Sequence, residues 1–455
     1  MRRKTFKRDH SIIGYRRYVY FSLKIIILIL LQGQLMAAAL YEITLKDTKV
    51  PLIFEEENII PIVSMQLVFK NAGHLSNSVD GVADMSAKLL NEGTSKEGST
   101  AFASKLDAHA VDLHASVGRE SLVIELSALK SEFPYAIERL KELLKDPNYT
   151  ADALAHIKHQ KLGWLKQKES DFDYIAASTL RRMLFKGSVL AKPYEGTVES
   201  VEKLTLEDIK SFITKHLGYN NVIVVMGGDI TRKESQDYLE EIVEILPKIE
   251  TKAIETVAVS DKKEIEYIYK DTEQAYIFFG APFHFSYKEK DQYKAKIAEY
   301  LLGGAGFGSR MMEEIRVKRG LTYGVYASFR RSKAASYMSG YMQTKLSTQE
   351  EAKRLIRSVV EKFVKEGITQ KELDDTKKFL LGSEPLRMET LSQRLARAYH
   401  DYYYEHPLTF SKEQLEKIES VTLKEMNAFI KSHQELLDIS FSIVTKQREE
   451  AEEKR

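Results

Sequence analysis

The sequence predicts an α+β fold made twice over: two homologous domains, each a mostly antiparallel sheet covered by helices. Three observations predict it. Strand and helix signals alternate from residue 40 almost to the end of the 455-residue chain, which is too long for one ordinary core. The segment 201–213 (VEKLTLEDIKSFI) recurs as 418–430 (IESVTLKEMNAFI), an offset of 217. The segment 150–154 (TADAL) recurs as 369–373 (TQKEL), an offset of 219. Two separated matches at nearly one offset mark a duplicated α+β unit of about 200 residues.

Taken in order, residues 41–45 and 50–55 read as an opening hairpin, and 62–70 alternates with Val63, Met65, Leu67 and Phe69 on one side of a half-buried strand. A helix over 81–91 places Val82, Met85 and Leu89 at i, i+3 and i+7 and ends at Gly93-Thr94. A helix from near Thr100, strands at 111–116 and 121–129, and amphipathic helices at 133–144 and 150–168 follow. Each TADAL-type segment is expected to open a long helix that follows a shorter one. The first domain is assigned to 40–247 and the second to 266–446. Residues 248–265 are polar, lysine-rich and weakly periodic and read as a linker, and 447–455 form a charged tail.

Residues 1–39 differ from the rest. Arg2, Arg3, Lys4, Lys7, Arg8, Arg16 and Arg17 precede a wholly apolar run at 25–31, and Ala37-Ala38-Ala39 closes the segment. This order of basic, apolar and small residues reads as a secretory signal cleaved near the alanines, so the mature protein is expected to be exported, to the periplasm. If the signal stayed uncleaved it would serve as a membrane anchor; no other apolar run nears the roughly 20 residues that a span requires. Removing 1–39 leaves 60 Lys/Arg against 65 Asp/Glu, a net charge of −5. That balance excludes the basic surface of a nucleic-acid binder. The chain has no cysteine, which excludes disulfides, thiolate zinc sites and cysteine nucleophiles.

Few residues could carry chemistry. His109 and His114 flank the start of a strand, and His156 and His159 stand three apart on a helix with no third ligand nearby, so solvated surface histidines are expected. Gly303, Gly304, Gly306 and Gly308 follow a helical segment and precede no P-loop lysine, which excludes a nucleotide loop and leaves a loop beside a cleft or a tight helix-to-helix turn. Tyr399, Tyr402, Tyr403 and Tyr404 suit core or interface packing.

Several stretches carry a family resemblance. They are Gly81-Val-Ala and Asn91-Glu-Gly-Thr94 around the first helix, Pro193-Tyr-Glu-Gly-Thr197, and Asn220-Asn-Val-Ile-Val-Val-Met-Gly-Gly-Asp229. In the second half come Gly303-Gly-Ala-Gly-Phe-Gly-Ser-Arg310 and Ile315-Arg-Val-Lys-Arg-Gly-Leu-Thr-Tyr323. Over nearly the whole length after residue 39 the chain resembles the insulinase/pitrilysin-type metallopeptidases, or inverzincins, and in particular their short two-domain bacterial branch. In that family the helix at 81–91 bears H-x-x-E-H, two imidazoles on one Zn²⁺ with a glutamate as general base, and a further glutamate some 75 residues on completes the site. Here those positions hold Asp84, Ala87 and Lys88, and the distal position falls near Gly163–Trp164 with no acid. Lysine has no lone pair to offer a metal and alanine cannot act as a base. Asp84 and Lys88 are instead expected to pair at i, i+4.

The resemblance also implies that Arg316 and Tyr323 hold backbone carbonyls of a bound peptide, both being strong donors. A chain with this pair and without H-x-x-E-H resembles the non-catalytic, substrate-binding subunit of an exported heterodimeric metalloendopeptidase. No catalytic residue and no metal are then expected in this chain, with zinc in a homologous partner that bears H-x-x-E-H. The alternatives are a complete zinc metalloendopeptidase and a non-proteolytic binding or scaffold protein of the same fold.

Overall fold

The computed structural model describes residues 38–447. The signal segment lies outside the described residues apart from its last two alanines, as does the tail beyond Gln447. Among the described residues no helix is long and apolar enough to cross a membrane.

The first half contains strands β1 (Ala39–Leu45), β2 (Thr48–Glu56), β3 (Ile62–Lys70), β4 (Asp112–Val117), β5 (Ser121–Leu129) and β6 (Val222–Gly228). Its helices are α1 (Val82–Leu90), α2 (Gly98–Ala108), α3 (Phe133–Lys145), α4 (Ala151–Lys168), α5 (Phe172–Leu184), α6 (Val198–Lys203), α7 (Leu206–His216) and α8 (Arg232–Ile245). The second half contains β7 (Ile265–Tyr269), β8 (Gln274–Pro282), β9 (Val325–Arg331), β10 (Ser336–Lys345) and β11 (Ser440–Thr445). Its helices are α9 (Gln292–Glu299), α10 (Gln349–Glu366), α11 (Gln370–Gly382), α12 (Leu391–Tyr403), α13 (Phe410–Ser420) and α14 (Leu423–Ser432).

The two sheets have the same plan. The first runs β1-β2-β6-β3-β5-β4 and the second β7-β11-β8-β10-β9, so the second is the first without its outermost strand. In each, one parallel pair (β2 with β6, β7 with β11) joins a set of antiparallel neighbours. The repeated sequence segments fold alike because they carry the same caps. Thr205 and Asp208 close a capping box on α7, and Thr422 and Glu425 close one on α14. Thr150 caps α4 and Thr369 caps α11.

One expectation about the repeat fails. In the first half the helix opened by Thr150 is the long one, with 18 residues after a helix of 13. In the second half the order reverses: α10 has 18 residues and α11, opened by Thr369, has 13. Pro385 stands just beyond α11, within a short 3₁₀ turn at Pro385–Arg387, and a proline at that distance cannot continue the helix.

Each sheet has helices of its own half on one face. The alternating residues Val63, Met65, Leu67 and Phe69 enter that first core as expected, and Ile277, Phe279 and Val325 enter the second. The opposite faces are covered by exchange. Helix α5 leaves the first half to lie on β8 and β11, and α12 leaves the second half to lie on β2 and β6. Gly280 and Gly227 admit these helices, since a Cβ would stand 2.7 Å from Leu184 at Gly280 and 3.0 Å from Leu395 at Gly227. Ion pairs fix the exchange. Arg394 of α12 reaches Glu55 at 2.6 Å and also Glu57, while Arg182 of α5 reaches Glu266 at 2.5 Å.

Residues 247–264 contain no helix or strand, yet they are a packed strap rather than a free tether. Ile254, Val257 and Val259 pack beside Leu184 and Phe185, Val257 donates its amide to Ala334 at 2.7 Å, and Ser260 donates its amide to Leu184 at 2.8 Å. The lysine-rich composition of this stretch hid those three apolar residues.

Candidate functional site

Helix α1 is buried on nearly every side. Val82, Ala83, Met85, Ser86, Ala87, Leu89 and Leu90 are all enclosed, and only Asp84 and Lys88 reach partly to solvent. Its C-terminal end is tied to edge strand β4 by Asn91, whose side chain donates to the Ala115 carbonyl at 2.9 Å and accepts from the Ala115 amide at 2.7 Å. The helix therefore stands as a fixed platform beside β4, which suits a site whose ligands must be held rigidly.

The expected pair between Asp84 and Lys88 is not formed. Asp84 instead meets Lys161 of α4, with Nζ 2.9 Å from Oδ2. The Lys161 side chain is 4% exposed, and its ammonium lies 4.3 Å from the centre of the Trp164 ring. The physical reason is geometric. Packing α4 across α1 offers Asp84 a cation already desolvated, whereas Lys88 lowers its free energy by keeping its head in water. Trp164 thus turns its face towards the residues at the zinc-motif position. His74, 10 residues before Asp84, also lies in this region. It stacks on Tyr194 with ring centres 5.6 Å apart, burial pushes its imidazole pKa down, and its Nδ1 has no hydrogen-bond partner among the described residues. Nothing in its sequence spacing marks it, because it sits on a short turn outside the helix.

The donors at this place do not fit zinc. Asp84 is spent on an internal ammonium, Ala87 offers no donor, and Lys88 and Lys161 bring like charge to where a cation would sit. Among the described residues no group of three or more His, Cys, Asp or Glu is placed to hold a metal. His156 and His159 are exposed, with His156 Nε2 3.7 Å from Glu92. His109 pairs with Glu132 at 2.7 Å, and His114 pairs with Asp112 at 3.2 Å.

Arg316 and Tyr323 lie in the second half. After α9 the chain stays helical through a wide π turn at Tyr300–Gly304, tightens through Gly306–Gly308, and enters a second π segment at Met312–Val317. The glycine-rich stretch is thus a helix-to-helix turn, and it presents Phe307 with 67% of its surface exposed. Ile315 anchors the second π segment in the core, and Arg316 lays its guanidinium over the Phe307 ring at 4.4 Å. Arg310, near the start of this region, grips Glu372 at 2.7 Å and the Gly367 carbonyl at 2.8 Å. Burial alone would raise the Glu372 carboxyl, but Arg310 and the Thr369 amide and hydroxyl outweigh it and hold the pKa at about 2.

The loop that follows is pinned at both ends. Leu321 donates its amide to Ile315 at 3.1 Å and accepts from the Thr344 hydroxyl at 2.6 Å, while the Gly324 amide donates to the Thr322 hydroxyl at 3.1 Å. Between these anchors Tyr323 projects with 90% of its surface exposed. No acid pairs with Arg316 among the ion pairs of the described residues; its neighbours Lys318 and Arg319 take Glu314. Tyr323 forms the lip of a groove of about 670 Å³ lined also by Tyr326, Tyr341, Gln343 and Gln274. Tyr341 and Tyr326 of this groove continue a row that ends at Phe278 outside it, in register on three strands, with ring centres 5.6 Å (Phe278–Tyr341) and 5.4 Å (Tyr341–Tyr326) apart. The corresponding row of the first sheet is polar, Gln66–Glu125–His114. The sequence reading passed over these aromatics, because a row across three strands is visible only once register is known.

Arg316 and Tyr323 lie on one continuous segment, folded back by the Gly320 amide, which donates to the Arg316 carbonyl at 2.8 Å; Tyr323 lines the groove, while Arg316 lies over Phe307. They belong to a different half from Asp84, Ala87 and Lys88. The tyrosines of α12 pack at the seam between halves, where the Tyr403 hydroxyl donates to Glu120 at 2.7 Å.

Comparison with known proteins settles the lineage of this architecture. The family model described as insulinase, peptidase family M16, matches residues 53–198, and the model of the peptidase M16 inactive domain matches residues 203–380. The chain belongs to peptidase family M16. A Helicobacter pylori protein named non-peptidase homolog YmxG is 44% identical over 417 residues, covering 91% of this chain and 96% of that one. Among solved structures, a peptidase M16 inactive domain from Pseudomonas fluorescens is similar with a TM-score of 0.83 at 24% identity, covering 90% of this chain and 98% of that one. The periplasmic protease PqqL of Escherichia coli is similar with a TM-score of 0.73 at 14% identity, but the match covers 90% of this chain and only 48% of PqqL. This chain is thus an M16 homologue, and the side chains it presents at Asp84, Ala87 and Lys88 do not make a zinc site.

Proposed function

We propose that the protein is the non-catalytic, substrate-binding subunit of an exported heterodimeric M16 metalloendopeptidase. The observation that carries this reading is the contrast between its two halves. At helix α1 a buried lysine occupies the place of a metal ligand, whereas Tyr323 stands exposed and Arg316, half-buried over Phe307, is in no ion pair among the described residues. A guanidinium and a phenol presented together can hold successive carbonyls of an extended peptide, or stabilise the oxyanion that forms when one is attacked. The zinc and the general base would then come from a homologous partner bearing H-x-x-E-H, with the two chains closing around the peptide. The aromatic groove beside Tyr323 would accept an apolar side chain of that peptide.

The non-peptidase name of the Helicobacter pylori relative supports a role without catalysis by this chain alone. The length of PqqL, about twice the matched region, supports a working unit built from two such chains. Export rests on the basic-apolar-alanine segment at the N-terminus.

The test is co-purification with the H-x-x-E-H homologue of the same cell. A one-to-one complex that cleaves unfolded peptide, with turnover lowered about tenfold or more by Arg316→Ala and about threefold or more by Tyr323→Phe, supports the reading. Failure of the two chains to associate would favour a non-proteolytic scaffold.

A further inference from the structure

A cavity of about 760 Å³ lies at the seam between the halves, away from both regions described above. One end of it is cationic. Among the described residues Lys296 of α9 lines it without a hydrogen bond or ion pair, although most of its side chain is covered. Arg331 and Arg397 line it as well, and Arg387 acts on Lys296 from nearby. Two carboxylates face this group and both are engaged. Glu299 meets Arg331 at 3.4 Å, and Glu384 pairs with Arg397 through Oε1 while its Oε2 lies buried without a hydrogen-bond partner among the described residues. Four cations thus share two carboxylates.

The other end is aromatic. Tyr399, Tyr403, Tyr404 and Tyr287 form the wall, with Tyr403 and Tyr404 packed edge to face at 5.2 Å. The acids there are held by neutral donors: Glu120 by the Tyr403 hydroxyl, and Asp401 by the Ser411 hydroxyl at 2.7 Å. Neither of these acids is joined to Lys296 by a hydrogen bond or ion pair among the described residues.

We propose that this cavity binds a small organic phosphate monoester, its dianion held by Lys296, Arg331 and Arg397 and its organic part laid along the tyrosine wall. Two planar guanidiniums and a flexible ammonium form a donor set that suits three phosphate oxygens. A buried excess of positive charge is costly without a counter-ion, and a bound dianion neutralises it. Desolvation and the surrounding guanidiniums push the Lys296 ammonium pKa down, the effect expected of a positive site waiting for an anion. Burial pushes Tyr404 up to about 12, so its hydroxyl stays protonated and able to donate. The volume suits a drug-sized ligand rather than a macromolecule.

The experiment is calorimetric titration of the full chain at constant ionic strength with phenyl phosphate, inorganic phosphate, phthalate and chloride. The expected result is saturable one-to-one binding of phenyl phosphate, tighter than inorganic phosphate, with phthalate weaker than phenyl phosphate and chloride silent. Lys296→Met keeps the length of the stem, and it should weaken phenyl phosphate by about tenfold or more. Should that variant fold poorly, phosphorus NMR of phenyl phosphate with the unaltered protein gives the same answer through saturable broadening. Absence of saturable binding in the millimolar range, phthalate binding as tightly as phenyl phosphate, or an affinity unchanged by Lys296→Met would each overturn the proposal.

Discussion

Replacing Lys161 by methionine removes the ammonium that stands at the zinc-motif helix while keeping most of the buried stem. The loss can be worked from two contacts. The carboxylate of Asp84 is 19% exposed and its partner 4% exposed, so the pair is screened little by water. Removing one member of such a pair leaves an uncompensated charge and costs about 3 kcal/mol. The cation–π contact with Trp164 at 4.3 Å adds about 1 kcal/mol. Lys161→Met should therefore lower the unfolding free energy by about 3–4 kcal/mol. Asp84→Asn strands the more deeply buried ammonium and should cost about as much. The double variant Asp84→Asn/Lys161→Met should cost clearly less than the sum, with a coupling of about 2 kcal/mol. Lys88→Ala, at the position expected from helix spacing to pair with Asp84, should change stability by less than about 0.5 kcal/mol. Urea unfolding of the four variants reads all of these values. A loss on Lys88→Ala as large as that on Lys161→Met, or additive single variants, would refute the assignment.

Three further predictions follow from particular residues. Glu372 is held at about 2 in the folded chain, below its ordinary value, so its contribution is fully present above about pH 4.5 and is lost as pH falls towards 2; Arg310→Gln should reduce the acid-dependent part of stability by about 3 kcal/mol in unfolding curves taken across that window. Arg394→Met breaks the buried contacts with Glu55 and Glu57 that hold α12 on the first sheet, and should cost about 3 kcal/mol and speed amide exchange in α12 and β2. Phe307→Ala removes the ring beneath Arg316 at small cost to stability, about 1 kcal/mol or less, yet in a complex with a catalytic partner it should raise KM more than it lowers kcat, which steady-state kinetics would show.

Local physics made much of this fold legible in the sequence. Period-two alternation at 62–70 marks β3, helical spacing at 82–89 marks α1, and two matched segments at nearly one offset make the duplication visible, with shared threonine caps explaining why they fold alike. What stayed hidden is non-local. Lys161 is 77 residues from Asp84, and nothing in helix spacing can announce a partner that far away. The amphipathic faces of α5 and α12 show that each must be buried, but not that each lies on the other half's sheet. Pro385 stood in plain view beyond the helix opened by Thr369, and weighing it against the repeat would have corrected the expected length. At the candidate site, Arg316 and Tyr323 came from resemblance rather than from pattern. Their exposure and the aromatic row beside them needed three-dimensional register.

The central claim, that this chain supplies substrate contacts and leaves the metal to a partner, is tested most directly by measuring zinc content and peptide hydrolysis together. The purified chain, the H-x-x-E-H homologue and their mixture are each assayed, and the mixture is repeated with Arg316→Ala and with Tyr323→Phe. The account predicts no stoichiometric zinc and no hydrolysis for this chain alone, hydrolysis by the mixture, and a loss of turnover with either variant while the complex still forms. One equivalent of zinc with hydrolysis by the isolated chain, or full turnover by a mixture carrying either variant, would contradict it.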